Sequence, residues 1–189
     1  MNRNSKVLAF GLISLILTAC DQKTSEKVVN NNSTVAVAPI AATDLGPVFE
    51  STLDQGIDFA KAGTPSFIQK VYGLDGAESW GRWSNALLAP TIKLVFKEPL
   101  PQKFILIISA QASGSNGTLP VKVIVGDQEN SIIIGNKGIS ENKVSFNLNS
   151  SQSTIEIIPP APVVPKEQGW SSDTRKLGIG LAKITIVKN

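Results

Sequence analysis

Phe104-Ile105-Leu106-Ile107-Ile108-Ser109-Ala110-Gln111-Ala112 starts as an apolar run without a polar face and finishes in alternation. A strand with neighbours on both sides and cover on both faces has that composition, whereas a surface helix would need a polar stripe. Ser113-Gly114-Ser115-Asn116-Gly117 then stops the run with turn residues. The segment predicts a central strand.

Shorter β-rich runs lie on either side, spaced by turn residues. Upstream, Thr91-Ile92-Lys93-Leu94-Val95-Phe96 is ended by Glu98-Pro99-Leu100-Pro101. Downstream, residues 121–125 and 131–134 flank Gly126-Asp127-Gln128 as a hairpin, and residues 144–148 and 154–158 follow. Pro159-Pro160-Ala161-Pro162 excludes both a helix and a central strand. Residues 179–187 alternate again and return into the sheet. Nearer the N-terminus, Gly56-Ile57-Asp58-Phe59 is a short strand, Gly63-Thr64-Pro65 a turn, and Ser66 the cap of a short helix over residues 67–72. Roughly eight to ten strands with little helix predict an all-β domain. The preferred architecture is a two-sheet β-sandwich of jelly-roll, galactose-binding-like type, with a closed barrel as the alternative.

Composition narrows the chemistry. With 42% hydrophobic and 17% charged residues among 189, the chain suits one globular domain. It contains no His, which excludes His-based triads, imidazole acid–base steps and His metal sites. Its one Cys excludes an internal disulfide and any cysteine-only metal cluster. No cofactor is expected. The formal charge is +3, and Arg3 and Lys6 lie in a segment expected to be removed, which leaves +1. So small a surplus gives no electrostatic case for nucleic acid, whose binding requires several phosphates to be neutralised.

That removable segment is the first 19 residues. Arg3 and Lys6 precede an apolar run from residue 7 to 17 that is too short to span a bilayer, and Leu17-Thr18-Ala19-Cys20 closes it. Leu-Thr-Ala-Cys resembles the bacterial lipobox at all four positions. The resemblance implies cleavage before Cys20, a diacylglyceryl thioether on its sulfur and acylation of the new amino group. Each buried methylene adds about 0.8 kcal/mol, so two or three chains (palmitate and the like) anchor firmly. Asp21 after the cysteine resembles the enterobacterial signal that retains lipoproteins in the inner membrane, facing the periplasm. Residues 20–48 then read as the lipidated Cys and a flexible tether, with a reach of about 30 Å; a first strand over residues 35–37 is the alternative. Residues 49–189 form the domain.

Two groupings carry the candidate site. Glu78-Ser79-Trp80-Gly81-Arg82-Trp83-Ser84 places two of the three Trp residues three positions apart, around a Gly and an Arg. Trp170-Ser171-Ser172-Asp173-Thr174-Arg175 supplies the third just before the last strand. Loops at one end of a sandwich gather from distant sequence, so the two are expected to meet. As a ligand site, Trp80, Trp83 and Trp170 would stack on sugars while Glu78, Arg82, Asp173, Arg175 and Asn116 bond to hydroxyls. The competing reading plugs the sandwich end with Trp80 or Trp83 and pairs Arg82 internally with Glu78 or Asp173. Asn116 would then be a turn former. As an enzyme, the one carboxylate pair on offer is Glu78 with Asp173.

Trp80-Gly81-Arg82-Trp83-Ser84 before a strand, Pro99-Leu100-Pro101 before the next, an Asn-containing loop, and Asp173-x-Arg175-x-Leu177-Gly178-Ile179-Gly180-Leu181 resemble a recurrent domain. It is similar to the C-terminal β-sandwich of bacterial phosphoglycerol transferases of periplasmic glucan synthesis, and of some envelope glycosyltransferases. The resemblance covers about residues 50–189. It implies a non-catalytic accessory sandwich whose partners are the membrane, through its lipid, and either a periplasmic glycan or an envelope transferase. A structural, protein-binding module remains the second possibility.

Overall fold

The computed structural model describes residues 40–44 and 46–189. The expected lipobox with Cys20, and most of the expected tether, lie outside them.

Two five-stranded sheets face one another. The first runs β10 (Ser140–Asn147), β7 (Lys103–Ala112), β12 (Leu177–Lys188), β2 (Ile57–Asp58), with β5 (Arg82–Asn85) also paired to β12. The second runs β4 (Ile68–Tyr72), β6 (Ile92–Phe96), β11 (Thr154–Ile158), β8 (Val121–Val125), β9 (Gln128–Ile132). A further parallel pair joins β1 (Val48–Phe49) to β3 (Thr64–Pro65). The two-sheet sandwich read from the sequence is the architecture found.

Alternation explains the layering. Phe104, Leu106, Ile108, Ala110 and Ala112 of β7 point inward and join Ile92 and Leu94 of β6, Val121, Val123 and Val125 of β8, and Ile155 and Ile157 of β11 in one core. Phe104 and Phe146 sit opposite each other across β7 and β10 with ring centroids 5.2 Å apart, an added aromatic cross-strand contact. β7 is central, as its composition requires, with β10 and β12 on its two sides.

Local differences have local causes. The segment expected as a short helix over residues 67–72 is β4. Ile68 and Val71 lie three apart, the spacing of one helical face, yet both are buried because the pairing with β6 shifts between Ile68 and Lys70. The bulge resets the alternation. The short helix lies instead at Gly114–Gly117, as a single 3-10 turn within the expected turn signal. Thr64–Pro65 pairs with β1 instead of only turning, and the second hairpin strand starts at Gln128, directly after Gly126-Asp127, earlier than its apolar part suggested. At the start of the described chain, Thr43 N–H donates to the Val71 carbonyl at 2.7 Å, along the edge strand β4.

Candidate functional site

Glu78 to Gly81 is a tight turn. Glu78 N–H donates to the Gly81 carbonyl at 2.8 Å and Gly81 N–H to the Glu78 carbonyl at 3.3 Å, with Ser79 and Trp80 at the tip. Gly81 is required by proximity: a Cβ there would stand 2.2 Å from the Leu181 carbonyl oxygen of β12. From this turn β5 enters the first sheet, with Trp83 opposite Gly180. Ile179 and Leu181 point into the core, so Gly180 faces out. The rings of Trp80 and Trp83 meet edge to face over it, centroids 5.2 Å apart at 73°. Both Trp residues are half-buried, as a plug of the sandwich end would be.

Arg82 is 2% exposed and pairs with neither Glu78 nor Asp173. Its guanidinium donates to two backbone carbonyls, Lys61 at 2.9 Å and Asp75 at 3.3 Å. Burial lowers its pKa from the ordinary arginine value, though arginine remains protonated. Arg82 serves as a backbone clasp between the β2–β3 loop and the loop leading to the Glu78 turn. Both carbonyls belong to segments without a ladder partner at those atoms, so a planar fork of donors satisfies what the sheet leaves open.

Asp173 pairs with Arg175. The Arg175 Nη2 donates to Asp173 Oδ2 at 2.7 Å, and its Nε lies 3.1 and 3.0 Å from the two oxygens. The same guanidinium reaches Glu78 Oε1 at 3.1 Å and Asp75 Oδ2 at 3.4 Å. The other Glu78 oxygen accepts the Trp80 indole N–H at 3.0 Å. Three carboxylates from two distant stretches therefore converge on one cation that is about one-third exposed. Hydrogen bonding to Arg175 holds the Asp173 carboxyl below its usual range, and the bonds to Asp173 and Glu78 push the Arg175 pKa higher still.

Trp170 is exposed at 56% and lies on the loop that carries this ion cluster. Its ring packs over Gly114, where a Cβ would come within 2.7 Å of Cη2; with φ of +55°, glycine suits that position twice over. Ser113 N–H donates to the Gly178 carbonyl at 2.9 Å, and Gly180, two residues on, lies beneath Trp80 and Trp83. All three indoles thus stand at one end of the first sheet. Asn116 belongs to the same region but is 0% exposed. Its Nδ2 donates to the Ser113 and Ala161 carbonyls at 2.8 and 2.7 Å, and its Oδ1 accepts the Ala161 N–H at 3.0 Å. Those bonds tie the 3-10 turn to the proline segment, so Asn116 does not present itself to a ligand.

Three contributors escaped the sequence reading. Asp75, to which the sequence analysis assigns no role, is the third carboxylate on Arg175. Ser84 Oγ accepts the N–H groups of Gly178 and Ile179 at 3.2 and 2.9 Å. Asn85 Oδ1 accepts those of Leu87 and Lys176 at 3.0 and 3.1 Å. Two adjacent small polar residues ending a strand, as Ser84 and Asn85 do, are the one signal that pointed to such capping roles.

The sequence is 38% identical over 131 residues to a protein from Escherichia fergusonii named Phosphoglycerol transferase I, and 39% identical over 131 residues to one of that name from Escherichia coli. Each match takes in 69% of this chain and 17% of the relative, so the chain spans about a sixth of their length. Among solved structures, a family 29 carbohydrate-binding module overlaps with a TM-score of 0.47 at 10% identity, covering 70% of this chain and 85% of the module. BiXyn10A CBM1 overlaps with a TM-score of 0.40 at 12% identity, covering 74% of this chain and all of that one. Residues 50–188, which include both β-sheets and every side chain of the cluster, match one family throughout, and the chain belongs to it: Domain of unknown function (DUF7024).

Proposed function

We propose that this chain is a non-catalytic module of the Gram-negative envelope, anchored through lipid on Cys20 at the periplasmic face of the inner membrane, and that Trp170 contacts a hydroxyl-rich envelope glycan. The observation that carries the reading is the exposed indole of Trp170, fixed against Gly114 on a loop braced by Arg175. A ring already immobilised loses little entropy on binding and offers a flat apolar plate to the C–H face of a sugar. Exposed Ser115, Gln168 and Ser171 supply neighbouring polar groups. Trp80, Trp83, Glu78, Arg82, Asp173, Arg175 and Asn116 hold the platform.

Two further points support an accessory role. Glu78 and Asp173 share one guanidinium, and Asp173 is more acidic than usual, which is the wrong direction for a glycosidase general acid. The relatives named Phosphoglycerol transferase I carry this region as a minor part of a much longer chain. Here the module would work beside such a transferase, or an envelope glycosyltransferase, as a separate partner. A protein-docking role is the second reading, favoured by Ile133 and Ile139, which are half-exposed in the stretch between β9 and β10.

Calorimetric titration of the full lipidated chain in detergent with periplasmic glucan and with peptidoglycan fragments tests the proposal. Saturable heat lost in Trp170→Ala, with circular dichroism and Tm unchanged, is the expected result. A flat titration of the unsubstituted protein with both glycans overturns it.

A further inference from the structure

Leu87 and Leu88 stand out at the turn after β5, 66% and 47% exposed. Among the described residues they are the one pair of adjacent, exposed, large apolar side chains. Their turn is firmly built. The N–H groups of Leu88 and Ala89 donate to the Asn85 carbonyl at 3.0 and 3.2 Å, and Leu87 N–H to Asn85 Oδ1 at 3.0 Å. Ala86 N–H donates to the Lys176 carbonyl at 2.8 Å, which places an exposed lysine beside the turn. A sandwich does not need two leucines held out in water at such a place.

What lies next to the turn identifies the occupant. Ala89, at its base, lines a cleft of about 240 Å³ with Tyr72, Thr91, Lys93, Val95 and Ile40. Ile40 is the first described residue, so the chain leading back to Cys20 leaves from a cleft that includes Ala89, the residue after Leu88. Nineteen residues, 21–39, lie between Cys20 and Ile40, and a chain of that length spans at most about 65 Å.

We infer that Leu87 and Leu88, with Lys176, form a second membrane contact that inserts at the lipid headgroup boundary and fixes which side of the domain faces the bilayer. The occupant is the lipid surface itself. The inference rests on the lipid anchor at Cys20, because two leucines alone bind a membrane weakly and gain strength from being tethered close to it.

The test uses the full chain reconstituted in vesicles of phosphatidylethanolamine and phosphatidylglycerol. With Cys20 blocked by lipid, Leu87→Cys supplies one thiol for an environment-sensitive fluorophore, Leu88→Cys a second position, and Ile133→Cys a comparison site. Spin-labelled lipid should quench the label at residues 87 and 88 by about threefold more than at 133, with a blue-shifted emission. Equal quenching at all three positions overturns the inference, as does crosslinking from residue 87 to a protein without lipid quenching. Intact mass separates the two readings: an unmodified Cys20 removes the anchor and this inference with it, whereas a lipidated Cys20 with an unquenched residue 87 removes this inference alone.

Discussion

Gly180 lies bare beneath Trp80: a methyl group on its Cα would stand 2.3 Å from the Cη2 of the indole and 3.1 Å from the Cε3 of Trp83. The two rings seat on the outer face of β12 because that residue has no side chain. Gly180→Ala should displace the edge-to-face pair and cost about 1–3 kcal/mol, the usual penalty for overpacking. Near-ultraviolet circular dichroism should lose the Trp80–Trp83 signature while the far-ultraviolet β spectrum persists. An unchanged near-ultraviolet spectrum would count against this seating.

Arg82 gives a test of how a buried cation contributes to the fold. Replacing a buried ion pair with apolar groups is often harmless because both partners leave together. Here the partners are the Lys61 and Asp75 carbonyls, which no side-chain substitution removes. Arg82→Met should therefore strand both acceptors and destabilise by about 2–4 kcal/mol in urea unfolding. Arg82→Lys, whose compact head cannot fork, should fall between the two.

The Arg175 cluster should confer a pH-dependent order on the loop that presents Trp170. Asp173 has a lowered pKa in the folded protein. Its contribution is complete above the unfolded carboxyl value of about 4 and is lost as pH falls through the lowered folded value. Trp fluorescence should report loop release only in that acid window. Arg175→Gln should release the loop at neutral pH, with a loss of about 1–2 kcal/mol, since the guanidinium is partly screened by solvent. High salt should weaken the unsubstituted protein in the same direction.

Asn116 separates a hydrogen-bonding role from simple size. Asn116→Ala gives up three bonds in a buried site, about 2–4 kcal/mol. Asn116→Asp keeps the volume but turns a carboxylate oxygen towards the Ser113 and Ala161 carbonyls. Thermal unfolding at neutral pH should rank Asp as more damaging than Ala, with the order narrowing at acid pH as the carboxyl protonates.

The layering of the sandwich was legible because alternation is a local property. Side chains of a strand project to opposite faces whatever the strand pairs with, so β6, β7, β8, β11 and β12 follow from residue order. The helix expected over residues 67–72 failed at one bulge, since a slip in pairing between neighbouring strands leaves no trace in a single segment. The same limit governed the site. Both Trp groupings were visible as composition, and their meeting at one sheet end follows from loop geometry. Which carboxylates Arg175 takes, and that Arg82 takes none, depends on how loops 97 and 100 residues apart in sequence come to rest. Residue type alone determined that this chain builds stacked sheets and owns three costly rings. Only the tertiary structure decided that Trp80 and Trp83 roof a glycine while Trp170 stays open to water, because burial belongs to the packed surface and not to the residue.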